Sequence, residues 1–329
     1  MSRAFRLLRR RVLTGIPVLL IVVAGSFLLL EAAPGDAADA YLLSIGGGDP
    51  AFVAALRESW GLEGSLLARL WLYVTSLARL DLGWSLAFDR PILDLVAERL
   101  PNTLWLMGSA VAISFLLGSA LGVVAGARPG SLADRLLSTG SLAVYAVPGF
   151  WLGLVLIVVF AVWLRWFPTS GIETIASGKT GLARALDVAR HLALPVASLS
   201  LIYLALFLRM MRAGMAEAWR QDYALAARAR GLGRWRIALG HVARNALLPL
   251  VTMLGLQAAS MLGGSVVIES VFAIPGFGRL AQEAVAARDA PLLAGIILVS
   301  AVTVVLVNLA VDLAYAALDP RVGAAEAAA

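Results

Sequence analysis

The feature that most restricts the fold of this 329-residue chain is a series of six apolar runs, each about twenty residues or longer. A helix of about 20 apolar residues crosses the roughly 30 Å hydrocarbon core of a bilayer. Hydrophobic residues make up 60% of the chain and charged residues 15%, against roughly 45–50% and about 25% in soluble domains. We therefore predict an all-α polytopic membrane protein with six transmembrane helices. The runs are Val12–Leu30, Leu104–Ala127, Leu136–Leu164, Leu192–Met211, Leu247–Val267 and Leu292–Leu313.

The distribution of arginines predicts the orientation of these helices in the membrane. Five arginines lie within residues 3–11, and no small-residue cleavage pattern follows the first run, which is therefore predicted to be an uncleaved span. Residues 31–99 carry five arginines and ten acidic residues, whereas Arg212–Arg244 carries seven arginines and two acidic residues. Because positive loops stay in the cytoplasm, we expect both termini to be cytoplasmic. The loop Arg165–Arg190, predicted to be outside, has a slight basic excess and fits this rule less well.

The spacing of the runs predicts how the chain is organised. The long outer segment contains helix-like stretches at Ala51–Trp60 and Leu66–Leu80, interrupted by glycine-containing sequences, and is predicted to be an ordered helical insertion. The predicted parts are 1–30, cytoplasmic N-terminus and first transmembrane helix; 31–100, periplasmic subdomain; 101–315, five-helix core with a cytoplasmic segment at 214–245; and 316–329, cytoplasmic tail.

Small residues recur every four positions inside several runs, which places them on one helix face. In lipid, helices associate by close backbone approach, so such faces predict helix contacts. Gly263–Gly264 could instead line a permeation path. The spaced sets are Gly118, Gly122 and Gly126; Gly255, Ala259 and Gly263; and Gly149 and Gly153.

The segment 214–245 has the pattern of two short amphipathic helices. Trp219, Tyr223, Ala226 and Ala227 recur at helical spacing, with arginines on the other side. Gly231 and Gly233 are expected to end that helix, because glycine accepts the left-handed conformation. A second stripe follows, formed by Trp235, Leu239 and Val242. Such a helix pair suits docking into a groove on another protein.

At these residues the chain resembles the permease subunits of binding-protein-dependent ABC importers, specifically the peptide and nickel branch of dipeptide and oligopeptide permease B type. The family's Glu-Ala-Ala…Gly coupling motif falls on Leu225, Ala226, Ala227 and Gly231, and its end falls on residues 241–244. Leu225 replaces the acidic residue of the motif, and Arg244 stands where proline is usual. The resemblance implies these ATPase-coupling residues: Asp222, Tyr223, Ala226, Ala227, Arg230, Gly231, Arg234, Arg244 and Asn245.

Further fragments resemble the same family in the same order, and together they extend over most of the chain. They are Pro34–Asp36, Asp81–Ser85, Arg99–Leu104, Val147–Phe150, His191–Pro195, Phe272–Gly278 and Leu318–Arg321. The resemblance implies a type I ABC importer permease in the bacterial inner membrane, which forms half of a pathway for peptides or related small solutes. It also implies the partners: a second homologous permease, two cytoplasmic ATPases that bind ATP and Mg, and a periplasmic substrate-binding protein.

Several other functions find little support in the residues. The chain has no cysteine and only His191 and His241, neither with a carboxylate cluster, so no metal or catalytic site and no bound cofactor is predicted. Gly178–Thr180 lacks the upstream glycine of a phosphate loop, so ATP hydrolysis is expected on partner subunits. The arginine cluster could also be a topological signal or bind anionic headgroups, and nucleic-acid binding is not predicted.

The cargo and the transport class remain open at the level of sequence. The same architecture could import nickel, glutathione or another non-peptide solute, and the substrate-binding residues are unknown. A membrane scaffold, a membrane-embedded enzyme and a secondary carrier are the alternatives from other classes. The few ionisable residues in or near the runs argue against a proton-coupled carrier, because such a carrier needs buried relays. They are Glu31, Arg209, Glu269 and Asp312, all near predicted span ends.

Overall fold

The structure is a computed structural model that describes residues 3–32, 49, 52, 55 and 65–318. Side chains are described from residue 13 onward, except 258–264, 312 and 314–318. The described α-helices and β-strands are α1 (Arg3–Ala32), α2 (Leu66–Ala78), β1 (Trp84–Ser85), β2 (Arg90–Pro91), α3 (Ile92–Ala127), α4 (Leu132–Tyr145), α5 (Gly149–Leu156), α6 (Gly181–Ala218), α7 (Asp222–Ala229), α8 (Arg234–Ile237), α9 (Ala243–Val271), α10 (Phe277–Ala286) and α11 (Ala290–Leu318). Two π-helical segments, Ile157–Trp163 and Ala238–Val242, continue α5 and α8. The predicted stretch Ala51–Trp60 and the tail from residue 319 lie largely or wholly outside the described residues.

The predicted all-α membrane fold is confirmed. Among the described residues, five helical stretches are long and apolar enough to cross a bilayer by themselves: Leu13–Ala32, Ile92–Ala127, Gly181–Ala218, Arg234–Gln257 and Ala290–Val311. The expected third span is instead a bent pair, in which α4 and the helix Gly149–Trp163 meet at 101°. The break falls at Pro148, whose ring cannot continue a helix. The pair gives a sixth span if it is counted as one.

The described chain forms two compact units. The first comprises residues Met1–Pro101 and Gly276–Leu306, and the second comprises Asn102–Pro275 and Val307–Ala329. In the first unit, β1 and β2 form a small antiparallel hairpin in which Ser85 pairs with Arg90. A buried cluster joins the start of α3 to α10 and the start of α11: Ile92, Leu95, Val96, Phe277, Leu280, Ala284, Leu292 and Ile296.

Asp289 joins the hairpin of the first unit to α11. The carboxylate is 2% exposed. Its Oδ1 accepts from the Leu292 N–H at 3.0 Å, which caps the amino end of α11. Its Oδ2 accepts from the Ser85 hydroxyl at 2.6 Å and from the Ala87 N–H at 3.0 Å. One buried side chain therefore satisfies three donors.

The second unit is organised around the contact between α3 and α6. A methyl group at Gly118 would lie 2.8 Å from the Leu204 carbonyl oxygen, and one at Gly122 would lie 2.5 Å from the Met211 Cβ. At Gly126 it would lie 2.8 Å from the Met215 Cβ. Since side chains do not tolerate such distances, the three glycines let the helices approach closely. The prediction of a helix contact at these glycines is confirmed.

The other spaced glycines also lie at helix contacts. A methyl group would lie 2.7 Å from the Ile202 Cδ1 at Gly149, 3.1 Å from a Phe272 ring atom at Gly153, and 2.8 Å from the Val311 Cγ1 at Gly255. The side chains at 258–264, which include Ala259, are outside the described residues.

Candidate functional site

The predicted segment 214–245 begins with the end of α6 and contains α7. Asp222 stands in the first turn of α7 and Arg228 in the last, so both charges complement the helix dipole. The helix ends at Ala229 and is followed by Gly231, whose φ of +75° is left-handed and stops its continuation. The Gly231 N–H donates to the Arg228 carbonyl at 2.9 Å. The prediction for Gly231 is confirmed. Gly233 has φ −63° and is instead the N-cap of α8, so the prediction that it ends the first helix is wrong.

The second short helix is continuous with the span that follows. After α8, residues Ala238–Val242 form a π-helical turn that runs directly into α9. A π turn bonds residue i to i+5 and shifts the side chains that follow to a new face. Consequently the predicted stripe is wrong in part: Val242 is buried, whereas Trp235 and Leu239 are 42% and 59% exposed. Ile237 and Ala238 take their place in the core.

Trp219 does not belong to the helix that contains Tyr223. Helix α6 ends at Ala218 and α7 starts at Asp222, so the helical spacing that grouped Trp219 with Tyr223 passes through a break. Trp219 is 8% exposed. Its indole Nε1–H donates to the Gly126 carbonyl, near the carboxyl end of α3, at 2.9 Å.

Arg234 reaches the same helix end. Its Nε–H donates to the Ala127 carbonyl at 2.6 Å. The last four carbonyls of a helix have no partner within the helix, and a cation there also complements the dipole. We call Trp219 and Arg234, together with the carbonyls of Gly126 and Ala127, the α3 clamp.

Two guanidinium groups surround the Trp219 ring. The Cζ atoms of Arg228 and Arg234 lie 4.8 Å and 5.7 Å from the ring centre. Such cation–π contacts each contribute about 0.5–1 kcal/mol at exposed sites. The Trp219 ring therefore contacts Arg228 at the end of α7 and Arg234 at the start of α8, and its indole N–H binds the end of α3.

A second contact connects the first turn of α4 to α6. The Asp134 carboxylate, 2% exposed, accepts from both Nε and Nη2 of Arg212. The same carboxylate accepts from the Gly130 N–H at 2.9 Å and the Ser138 hydroxyl at 3.2 Å. This two-point pairing fixes orientation as well as distance. Sequence reasoning missed it; the available signal was a single acidic residue in the basic turn that follows α3.

Most of the predicted coupling residues lie on one exposed stretch of chain. Ala227 is buried at 5%, and it anchors the inner face of α7 together with Ala224. The side chain of Asn245 donates to the His241 carbonyl at 2.8 Å. The exposed members of the set are Asp222, Tyr223, Ala226, Arg230, Gly231, Arg234, Arg244 and Asn245.

Glu269, 0% exposed, is held by neighbouring hydroxyls. Its Oε1 accepts from Thr103 at 2.6 Å and from Ser265 at 2.9 Å. The side chain of Asp312 lies outside the described residues.

His191 has a structural environment, since it is buried and its Nδ1 lies 2.8 Å from the Asp187 carbonyl oxygen. His241 is exposed. Within the part of the chain that the structure describes, no three His, Cys, Asp or Glu side chains are grouped to hold a metal ion.

The sequence profile of the binding-protein-dependent transport system inner membrane component family matches residues 118–324. That range contains the glycine contact, the α3 clamp and the whole of segment 214–245. The chain belongs to this family of inner-membrane transport components.

Two permease proteins of known transport systems are similar to this chain over nearly its full length. It is 36% identical to the oligopeptide transport system permease protein AppB of Bacillus subtilis, over 95% of this chain and 98% of that protein. It is also 36% identical to the glutathione transport system permease protein GsiC of Escherichia coli, over 95% and 97%.

A solved structure of another transporter has a similar fold. The inward-facing MetNI methionine ABC transporter matches with a TM-score of 0.54, covering 68% of this chain and 96% of that chain at 19% identity. The architecture is therefore that of a type I importer permease. The unmatched third of the chain sets this component apart from the MetNI chain.

Proposed function

We propose that this chain is one of two transmembrane permease subunits of an ATP-driven importer and forms half of a pathway for peptides or related small solutes. A second homologous permease completes the pathway, and a periplasmic binding protein delivers the cargo. Two cytoplasmic ABC ATPases bind ATP and Mg, so this chain carries neither cofactor nor catalytic group. Membership of the family supports this division of labour. The name of AppB supports peptides as the cargo class, whereas the name of GsiC supports the glutathione alternative.

The proposed orientation places both termini and segment 214–245 in the cytoplasm. The arginine excess of the segment supports this assignment by the positive-inside rule. Residues 31–100 then lie on the periplasmic side. There they can meet the binding protein.

The observation that carries the coupling role is the contrast between the two sides of segment 214–245. Its inner side is tied to the end of α3 by Trp219 and Arg234. Its outer side exposes Tyr223, Ala226 and Arg230 beside the Gly231 turn. The exposed side of the segment can bind an ATPase subunit, and the contacts on its inner side can transmit a displacement from that subunit to α3.

Transmission to the spans follows from the same contacts. When an ATPase displaces α7, the α3 clamp moves the carboxyl end of α3 with it. The glycine contact then moves α6 together with α3, because the two backbones pack directly against each other at Gly118, Gly122 and Gly126. Rigid-body switching between inward-facing and outward-facing states is the expected result. The exposed arginines favour correct registration on an ATPase surface rather than high affinity.

The test is the ATPase activity of the reconstituted complex with and without its binding protein. Gly231→Pro cannot adopt φ +75°, and Arg230→Glu reverses an exposed charge on the docking surface. Both variants are expected to assemble and to lose the ATPase response to the loaded binding protein. Arg135→Glu is the matched control, because it makes the same charge change at an exposed position outside the segment.

If both variants respond like the Arg135→Glu control, segment 214–245 is a charged topological anchor and the coupling proposal is wrong. A complex without ATPase subunits would favour a scaffold or a secondary carrier. Competition of uptake by dipeptides, glutathione and nickel separates peptide cargo from the non-peptide alternatives.

A further inference from the structure

Helix α2 packs on the carboxyl end of α1 with one side only. Arg69 Nη2 lies 2.9 Å from Glu31 Oε2, and the rings of Tyr73 and Phe27 lie 5.9 Å apart. These residues stand on the side of α2 that faces α1. Arg69 is the only charged side chain of Leu66–Ala78, and its charge is directed to α1.

The other side of α2 is apolar and exposed. Leu67, Trp71, Val74 and Ala78 follow one another at intervals of three or four residues, so they form one face. Leu67 is 76% exposed, Trp71 68% and Val74 39%. Leu72, beside this face, is 50% exposed. Within Leu66–Ala78, all of which is described, no residue is buried.

The position of α2 along α1 indicates the depth of this apolar face relative to the membrane. Residues 13–32 of α1 form an apolar stretch of mean hydropathy 2.5, and Glu31 marks the end of that stretch. The Arg69–Glu31 pair therefore places α2 at the level where the apolar span gives way to polar surroundings. At 13 residues, α2 is about 20 Å long, too short to cross a bilayer. Tryptophan is enriched at this depth because its ring is amphipathic.

We propose that α2 is an interfacial helix that lies in the membrane surface beside the carboxyl end of α1, with Leu67, Trp71 and Val74 inserted among the lipid acyl chains. The apolar face then continues the lipid-facing surface of α1, on which Ile21 and Leu28 are 72% and 57% exposed. A docking surface for another protein carries a polar rim. The exposed half of α2 offers only Trp71 and Thr75 as polar groups, and the Thr75 hydroxyl donates to the Leu72 carbonyl of its own helix.

The absence of cysteine in the chain makes the test direct. Single cysteines at Leu67, Trp71 and Val74 are labelled with a nitroxide in the full complex, reconstituted in lipid vesicles. Collision with dissolved oxygen, which concentrates in lipid, is compared with collision with a water-soluble nickel chelate. Ile21→Cys, within the α1 span, is the lipid reference. Ile175→Cys, 93% exposed in the polar loop before α6, is the water reference.

We expect oxygen collision to exceed nickel collision several-fold at all three α2 positions, as at Ile21→Cys. Nickel collision that exceeds oxygen collision, as at Ile175→Cys, would place the face in water and overturn the proposal. Protection from both reagents would also overturn it, since the face would then be covered by protein, either this chain or a partner. None of these outcomes depends on transport activity, so they leave the proposed coupling role unaffected.

Discussion

The α3 clamp and the Asp289 site both hold a connecting segment against the end of a long helix, but they use opposite chemistry. The carboxyl end of α3 offers carbonyls and is met by the donors of Trp219 and Arg234. The amino end of α11 offers an N–H group and is met by the carboxylate of Asp289. Helix polarity decides which side chains can hold each end.

The two sites differ in whether the segment that they hold has an exposed surface. Asp289 is enclosed, and all three of its donors belong to the hairpin and to α11. The clamp instead supports α7, whose outer face remains exposed. An enclosed contact stabilises the fold, whereas in the proposed mechanism a contact behind an exposed surface also transmits a displacement. Variants at each site should therefore affect different measurements.

The largest effect on stability is expected for Asp289→Ala. The change removes an N-cap and leaves the buried Ser85 hydroxyl and the partly buried Ala87 N–H without their acceptor, at a cost of about 3 kcal/mol. The midpoint of thermal unfolding in detergent should fall accordingly. Asp289→Asn keeps one acceptor oxygen and should lose less than half as much. If the two variants and the wild type had equal midpoints, the conclusion that the Asp289 site stabilises the fold would be wrong.

Trp219→Phe should affect coupling more than stability. Phenylalanine keeps an aromatic ring for the two arginines but loses the donor to Gly126, at a cost of about 1 kcal/mol. The stimulation of ATPase activity by the loaded binding protein should decrease. Trp235→Phe is the matched control, since Trp235 is exposed and lies in the same segment. A decrease of the same size in both variants would contradict a specific role for the clamp.

Arg234→Lys sharpens the same comparison with a smaller change. Lysine keeps the charge but does not offer the Nε–H group that reaches Ala127. The hydrogen bond from Arg234 to the Ala127 carbonyl is partly buried, and we expect a loss of about 0.5–1 kcal/mol. The thermal midpoint and the ATPase response should both fall slightly. Arg236→Lys, the same exchange two residues later, should leave both unchanged.

The smallest effect is expected at an exposed tie. Arg184 donates to Glu173 through Nε at 2.6 Å and Nη2 at 3.2 Å, and these bonds lower the pKa of the Glu173 carboxyl. A lowered pKa means that the pair stabilises the fold above the ordinary carboxyl pKa. That contribution is lost as the pH falls through the lowered value.

Glu173→Gln should therefore unfold slightly earlier than the wild type at pH 7, and the difference should vanish under strongly acidic conditions. Thermal midpoints measured across this pH range test the prediction. A difference that grows as the pH falls would have the wrong sign for a carboxylate stabilised by Arg184.

The sequence predicted those features that depend on local pattern. Apolar runs of membrane length identified the spans, and the period of Gly118, Gly122 and Gly126 identified a helix contact. The left-handed turn at Gly231 followed from the conformational freedom of glycine. In each case the residues that carry the signal are neighbours along one helix or turn.

Features that depend on pairing across the chain were missed. Asp134 and Arg212 are 78 positions apart, and Trp219 and Gly126 are 93 apart, so no periodicity relates them. The π-helical turn at Ala238–Val242 also leaves no sequence pattern, and it puts Val242 on a different face from Trp235 and Leu239. Regular helical spacing was applied across a break at residues 219–221, where a turn carries Trp219 to a different partner.

The glycine contact also has a mechanical consequence. Gly118 and Gly126 are eight residues apart, so α3 and α6 touch over about 12 Å. Two rods fixed together along their length resist bending far more than the same rods side by side, because neither can shear past the other. Helices α3 and α6 are therefore expected to behave as one stiff beam, so a load applied at one end of the contact reaches its other end with little elastic loss.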